Sequence, residues 1–323
     1  MKLSKNKLLT AAVCGTAAAA AGAAIAVCFT KILVKTALDR NQPKIVKKTG
    51  IDVSGTAKND EFEQICDAAS QKLCETEHEY VKIVNSEGIE LVGHFFPCEN
   101  AKRVIIAFHG WRSSWCKDFS LISDFWHNNG SSVLYVEQRA QNNSGGDYIG
   151  FGLTERHDCV DWVNWTMCRC GKNLPIYLAG VSMGATTVLM AAGEHLPTSV
   201  HGIMADCGFT SPKEIWKHVA NKNLHVPYGL KSVLADSMCM KKLNVRSGDY
   251  STLEALANTS VPVLFVHGSA DHFVPIDMTY ANYEACASPK RLLVVPGAEH
   301  AMSYYVDSDA YEKAVLAFWK DFD

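Results

Sequence analysis

The chain has 323 residues, 48% of them hydrophobic, enough to bury one large core. A formal net charge of −3 gives no basic field that would gather nucleic acid, and no internal repeat is visible. Twelve cysteines show no evenly spaced disulfide framework and no Cys/His cluster with ligand spacing, so free thiols in a reducing compartment are expected, with no metal and no cofactor.

In chain order, Lys2, Lys5 and Lys7 precede Leu8–Thr30, a run without charge dominated by Ala, Val, Leu and Ile. It is long enough to cross a bilayer of about 30 Å, whereas the apolar region of a signal peptide runs about 7–15 residues. The expectation is a retained single-pass membrane anchor through residues 8–30, inside an N-terminal segment 1–35. Cleavage after Ala24-Ile-Ala26, giving a secreted protein, is the alternative. Lys31, Lys35, Arg40, Lys44, Lys47 and Lys48 follow the run and compete with the leading lysines, which tilts the chain towards the cytosol. Residues 31–58 read as a basic tether, and a segment 36–78 ends in a helix whose Phe62, Ile65, Cys66, Ala69 and Leu73 form one apolar face docking on the core. A chain beginning near Asp52 is therefore expected to be soluble and active.

From residue 79 onward, strand-like runs fall at Tyr80–Val84, Ile89–Phe96, Arg103–Phe108, Ser132–Val136, Pro175–Ala179, His201–Ala205, Pro262–Val266 and Arg291–Val295. The first two predict an antiparallel hairpin turned at Ser86-Glu-Gly88. From the third, strands alternate with helical stretches, which predicts a mostly parallel, doubly wound α/β sheet over 79–323. The alternation breaks between Phe209 and Asn258, where Trp216, His218, His225, Tyr228 and Met238 sit among short helical fragments. A helical lid over about 209–258 is expected there, supplying the apolar walls a substrate pocket needs.

Residues 180–184 read Gly-Val-Ser-Met-Gly, between the run ending at Ala179 and the helical stretch from Ala185. Gly-x-Ser-x-Gly at a strand-to-helix junction predicts a strained turn that lifts the Ser182 hydroxyl clear of the sheet. A serine hydroxyl needs a histidine to take its proton and a carboxylate to orient that histidine. Asp271 follows the run ending at Gly268, and His300 follows the one ending at Val295. Ser182, Asp271 and His300 thus come in the order Ser, Asp, His, each just past the C-terminal end of a predicted strand, where parallel sheets place ligands.

With these residues in view, the chain resembles an α/β-hydrolase of the esterase, lipase and serine-aminopeptidase-like branch, over about 79–323. His109-Gly110, Gln138-Arg139 with Ser144-Gly-Gly146, the Ser182 turn, Gly268 to Asp271 and Gly297 to His300 carry the resemblance. It implies Ser182 as nucleophile, Asp271 as acid and His300 as base, with an oxyanion hole from the backbone N–H groups of Met183 and Trp111. His-Gly-Trp-Arg stands where one lipase and esterase class has His-Gly-Gly-Gly, which bears on the second donor.

Other residues compete. Asp206 also ends a predicted strand, where some family members place the acid. Asp277 reads as a first-turn helix carboxylate. His109 and His267 read as loop packing, His272 as solvated or lid-facing, and Cys207 as a small apolar residue. Ser113 and Ser114 read as helix caps. The expected function is a serine hydrolase cleaving an ester, thioester or amide of a small-molecule acyl substrate through an acyl-enzyme, with a carboxylesterase or lipase acting on a medium or short acyl group favoured. An aminopeptidase-like serine peptidase and a catalytically silent membrane-anchored binding module are the alternatives.

Overall fold

The computed structural model describes residues 24, 26–49, 59–229 and 231–323. Among them, β1 (Glu79–Val84), β2 (Glu90–Phe96), β3 (Arg103–Phe108), β4 (Ser131–Glu137), β5 (Ile176–Val181), β6 (Val200–Asp206), β7 (Val263–Gly268) and β8 (Lys290–Val295) form one sheet ordered β1-β2-β4-β3-β5-β6-β7-β8. β1 and β2 make the expected antiparallel hairpin, β2 pairs antiparallel with β4, and every later pairing is parallel. β3, β4 and β7 are buried at every position, which is why they read as unbroken apolar runs.

The helices are α1 (26–38), α2 (Lys44–Thr49), α3 (Asp60–Glu75), α4 (Trp115–Asn128), α5 (Glu155–Cys170), α6 (Met183–Ala191), α7 (Pro212–His218), α8 (Lys231–Leu243), α9 (Thr252–Ala257), α10 (Ile276–Ala285), α11 (Ser303–Val306) and α12 (Ser308–Phe322). Alternate residues of β3 divide the core: Val104, Ile106 and Phe108 meet Trp162 of α5 and Leu189 of α6, while Ile105 and Ala107 pack with Phe119 of α4 and Phe318 of α12. α3 docks as expected, with Asn59 capping its first turn and Cys66 and Leu73 buried. Ile65 is the exception to the expected face: it lies 40% exposed, because the contact follows the narrower Cys66, Ala69, Leu73 line.

Four expectations meet the described residues. The tether expected from residue 31 begins instead inside α1, whose Thr30, Val34 and Leu38, four apart, are buried on one face against the Phe151, Met183 and Phe209 surface. Lys31 and Lys35 lie on its exposed side, so their charges signalled a solvated linker. The helix end is pinned: the Trp111 indole donates to the Ala37 carbonyl at 3.0 Å, and the Arg112 guanidinium donates to the carbonyls of Thr36, Asp39 and Arg40. A chain starting near Asp52 would leave that apolar surface bare.

Second, most of the Leu8–Thr30 span lies outside the described residues, but its last turn belongs to α1, with Thr30 buried in protein. Among the described residues no helix is long and apolar enough to cross a membrane. Third, the cysteines are not all free. Cys74 at the end of α3 is bonded to Cys116 in the first turn of α4, their Cα atoms 6.0 Å apart. The α3–α4 docking brings them together, and their separation of 42 residues carries no signal. Fourth, α9 belongs to the core: Leu256 is buried under α6, and the Thr252 hydroxyl reaches the Thr210 carbonyl. The excursion from the sheet core therefore ends at α8, near Leu243, short of the bound at residue 258 expected for a lid.

Candidate active site

β5 ends at Val181 and α6 begins at Met183, leaving Ser182 to turn the chain at φ 55° and ψ −115°. That conformation is costly for any L residue with a side chain, and it persists because its surroundings enforce it. Crowding explains the flanking glycines: a Cβ on Gly184 would lie 1.8 Å from the Phe108 carbonyl oxygen, and one on Gly180 would lie 2.3 Å from the Gly184 backbone. The Ser182 N–H donates to the Asp206 carbonyl at 2.9 Å, fastening the turn to the end of β6.

The structure brings Ser182, Asp271 and His300 together. His300 Nε2 lies 2.9 Å from Ser182 Oγ, and its Nδ1 lies 2.6 Å from Asp271 Oδ2. Asp271 Oδ1 accepts from the main-chain N–H groups of Phe273 and Val274, each at 2.9 Å. His267 does more than the loop packing expected of it. Its Nε2 sits 2.9 Å from the Val274 carbonyl and 3.2 Å from Asp271 Oδ2, while the Thr279 hydroxyl donates to its Nδ1 at 2.7 Å. The carboxylate is thereby held from both sides.

Electrostatics follow from these contacts. Burial would raise the Asp271 carboxyl, but the His300 charge and the hydrogen bonds from His267 and His300 hold it well below the usual carboxylate range. Burial would lower the His300 imidazole, yet Asp271, helped by Asp206 and Asp118, raises it above its ordinary value. Asp206 is the reverse case. Burial pushes its carboxyl up to about 6, against the opposing pull of His267, the Ser303 hydroxyl at 3.1 Å and His300.

The remaining candidates fall outside this chain of contacts. Asp277 sits in the first turn of α10. Buried His109 is committed to the Gly110 carbonyl through Nδ1 and accepts from the Gln138 N–H through Nε2. His272 is exposed, and its carbonyl accepts from the lid's His218 at 3.2 Å. Ser114 caps α4, accepting from the Lys117 N–H, while Ser113 donates to Asp118. Burial holds the Cys207 thiol well above its ordinary value. Cys207 Sγ, Asp271 and His300 offer ligand atoms within 4.8 Å of one another, but both ring nitrogens of His300 are already engaged with Asp271 and Ser182.

Asp118 is a residue the sequence did not single out. Its Oδ2 accepts from the Gly110 N–H at 2.6 Å and its other oxygen from Ser113, so the first turn of α4 shapes the loop that carries Trp111. Arg112 completes that loop with a positive φ of 54° and an N–H donated to the Gln141 side chain at 2.5 Å. Among the described residues, neither the Trp111 nor the Met183 main-chain N–H has an acceptor.

An apolar cavity of about 110 Å³ is walled by Trp111 and Phe151 from the sheet loops, Ile215 and Trp216 from α7, and Val34 from α1; neither Ser182 nor His300 is among its lining residues. Phe273 also lines it and packs edge-on to the His300 ring, centroids 4.9 Å apart.

No protein-family model matches the chain. It is 27% identical over 236 residues to the uncharacterised protein YqkD of Bacillus subtilis, covering 73% of this chain and 77% of that one. It is also 25% identical over 248 residues to the uncharacterised YfhR of Escherichia coli K12, covering 74% and 80% respectively. Among solved structures, the Pyrococcus furiosus esterase Pf2001 superposes with a TM-score of 0.63 at 22% identity, covering 78% of this chain and 93% of its own. The α/β-hydrolase GrgF from Penicillium gives 0.62 at 17% identity over 76% of this chain and 99% of its own. With a sheet order and strand directions of this kind and such structural neighbours, the chain adopts the α/β-hydrolase fold.

Proposed function

We propose that the protein is a serine hydrolase that cleaves small esters through an acyl-enzyme, with Ser182 as nucleophile, His300 as base and Asp271 as the orienting acid. The observation that carries this reading is the continuous relay from Ser182 Oγ through the His300 ring to a carboxylate held ionised. Asp271 accepts at Nδ1, which fixes the tautomer and leaves Nε2 free to take the serine proton as Oγ attacks the acyl carbon. His300 then donates that proton to the leaving alkoxide. In the second half it takes a proton from water, which attacks the acyl-serine, and returns that proton to Ser182 Oγ as the acid is released. The Met183 and Trp111 N–H groups stabilise the oxyanion formed in each step. An intact relay argues against a silent binding module.

Ester cleavage is favoured over aminopeptidase action by the cavity walls. The ammonium of a free peptide N-terminus needs an anion, and the one charged side chain among the described lining residues is Lys231, a cation. The membrane anchor belongs to this proposal as well. With residues 26–30 in α1, Leu8–Ile25 remains, eighteen uncharged residues at the short end of what spans a bilayer about 30 Å thick. Resistance of the full-length chain to carbonate extraction would support the anchor, and recovery in the soluble fraction would remove it. For the chemistry, a fluorophosphonate should label Ser182 alone. Labelling that persists in Ser182→Ala would overturn the assignment.

A further inference from the structure

Two residues that line the apolar cavity are also neighbours of the proposed reacting groups. Trp111 lines it and also carries one of the N–H groups assigned to the oxyanion, while Phe273 lines it and packs against the His300 ring. An acyl group bound at Ser182 would therefore extend into this space. The wall opposite the lid comes from α1, through Leu33, Val34 and Ala37. This helix is pinned, with the Trp111 indole on the Ala37 carbonyl, Arg112 on three carbonyls at its end, and Lys242 paired with Asp39 at 2.7 Å. A fixed wall gives a fixed volume.

We infer that α1 is the specificity-determining wall of the acyl pocket, and that the enzyme takes short acyl groups and rejects long ones. The inference rests on the acyl-enzyme reading above. A dry apolar cavity of roughly 150 Å³ holds a benzene ring, so the cavity here, of about 110 Å³, matches a tail of about four or five carbons. Apolar walls suit such a tail, and the α1 side chains lining the cavity offer no free donor to a polar one: the Thr30 hydroxyl donates to the Ala26 carbonyl at 2.8 Å, and the Thr36 hydroxyl to the Ile32 carbonyl at 2.8 Å. Val34 is 5% exposed, so its methyl groups bound the space directly.

The test uses the full-length protein, p-nitrophenyl esters from acetate to octanoate, and alkyl fluorophosphonates of the same chain lengths. Wild type should peak at butyrate or valerate and fall by about tenfold or more at octanoate, since each methylene a pocket cannot seat costs at least that order. Val34→Ala should move the peak to longer chains and leave acetate within about threefold, and Ala37→Leu should lower butyrate about tenfold relative to acetate. Lys35→Ala, on the exposed side of the same helix, should keep the wild-type profile. Phosphonate labelling rates should follow the same order. A wild type that cleaves octanoate as well as butyrate, or a folded Val34→Ala with an unchanged profile, would overturn the assignment of the wall. If no ester is cleaved and no phosphonate reacts with Ser182, the acyl-enzyme reading itself fails, a separate outcome from the unchanged profile.

Discussion

Asp206 ends β6 and Asp271 follows β7 by three residues, on neighbouring strands, 5% and 7% exposed, yet their carboxyls are held in opposite conditions. Asp271 collects two main-chain N–H groups and two imidazoles. Asp206 collects the hydroxyls of Ser303 and Tyr311 and no main-chain N–H, and burial wins. Burial makes a carboxylate expensive; only the donors and cations around it decide whether it stays charged. In the proposed mechanism this difference assigns the orienting role to Asp271, the carboxylate in contact with His300.

The largest effect belongs to the proposed nucleophile. Ser182→Ala should lower kcat on p-nitrophenyl butyrate by on the order of 10⁶, the scale of losing a nucleophile from a working triad. Asp271→Asn should cost on the order of 10⁴, because the amide selects the wrong tautomer of His300. Asp206→Asn should stay within about tenfold, since no hydrogen bond between it and His300 is present among the described residues. A crippled Asp206→Asn beside a near-normal Asp271→Asn would invert the comparison.

Much of this site was legible in the sequence because its chemistry is local. The Ser182 turn is spelled in five contiguous residues, and its glycines are demanded by the 1.8 Å and 2.3 Å approaches. Asp271 and His300 were legible because strand ends in a parallel sheet converge. The pocket was not, since Val34, Trp111, Trp216 and Phe273 come from four distant segments that only folding joins. α1 was misread for two physical reasons: Thr30 ends an uncharged run, and a helix face buried in protein is built from the same residues as one buried in lipid, while Lys31 and Lys35 on the exposed side made the stretch holding Val34 and Leu38 read as a solvated tether. Asp118 gave no signal beyond that of an ordinary first-turn acid.

A third carboxylate sharpens the comparison. Asp118 adds to the charge that raises His300, and it stands in the first turn of α4, two residues after Cys116. The Cys74–Cys116 bond closes a loop of 42 residues, for which loop-closure entropy gives a stabilisation of up to about 4 kcal/mol. Replacing both cysteines by serine should lower the midpoint of denaturant unfolding accordingly while leaving the acid limb of the pH profile in place, because Gly110 and Ser113 still hold Asp118. Thiol titration of the denatured chain should count ten of its twelve cysteines before reduction. Twelve would show that the bond is absent, and a limb that moves with it would make Asp118 part of the redox-dependent geometry.

The smallest effect is a pH signature of Asp206 itself. Its folded carboxyl, at about 6, lies above the ordinary 3.8, so between those values the folded state holds a proton that the unfolded state has released. Stability must therefore fall as pH rises through that window, by roughly 3 kcal/mol in total. Asp271 has the opposite sign: its lowered carboxyl contributes stability that is complete above the ordinary carboxylate value and lost as pH falls below it. Asn at 206 carries no charge, so Asp206→Asn should match wild type in Tm near pH 4 and exceed it at pH 8. Activity gives a second reading of the same group. His300 must be neutral to accept the serine proton, and Asp206 helps Asp271 hold it above its ordinary 6.5, so the acid limb of wild-type kcat/KM should lie above that pH. Removing the Asp206 charge should move the limb to lower pH, with the plateau rate unchanged. A limb that stays in place, together with no gain in Tm at pH 8, would show that Asp206 does not carry a buried charge at neutral pH and that the two carboxyls differ less than their surroundings imply.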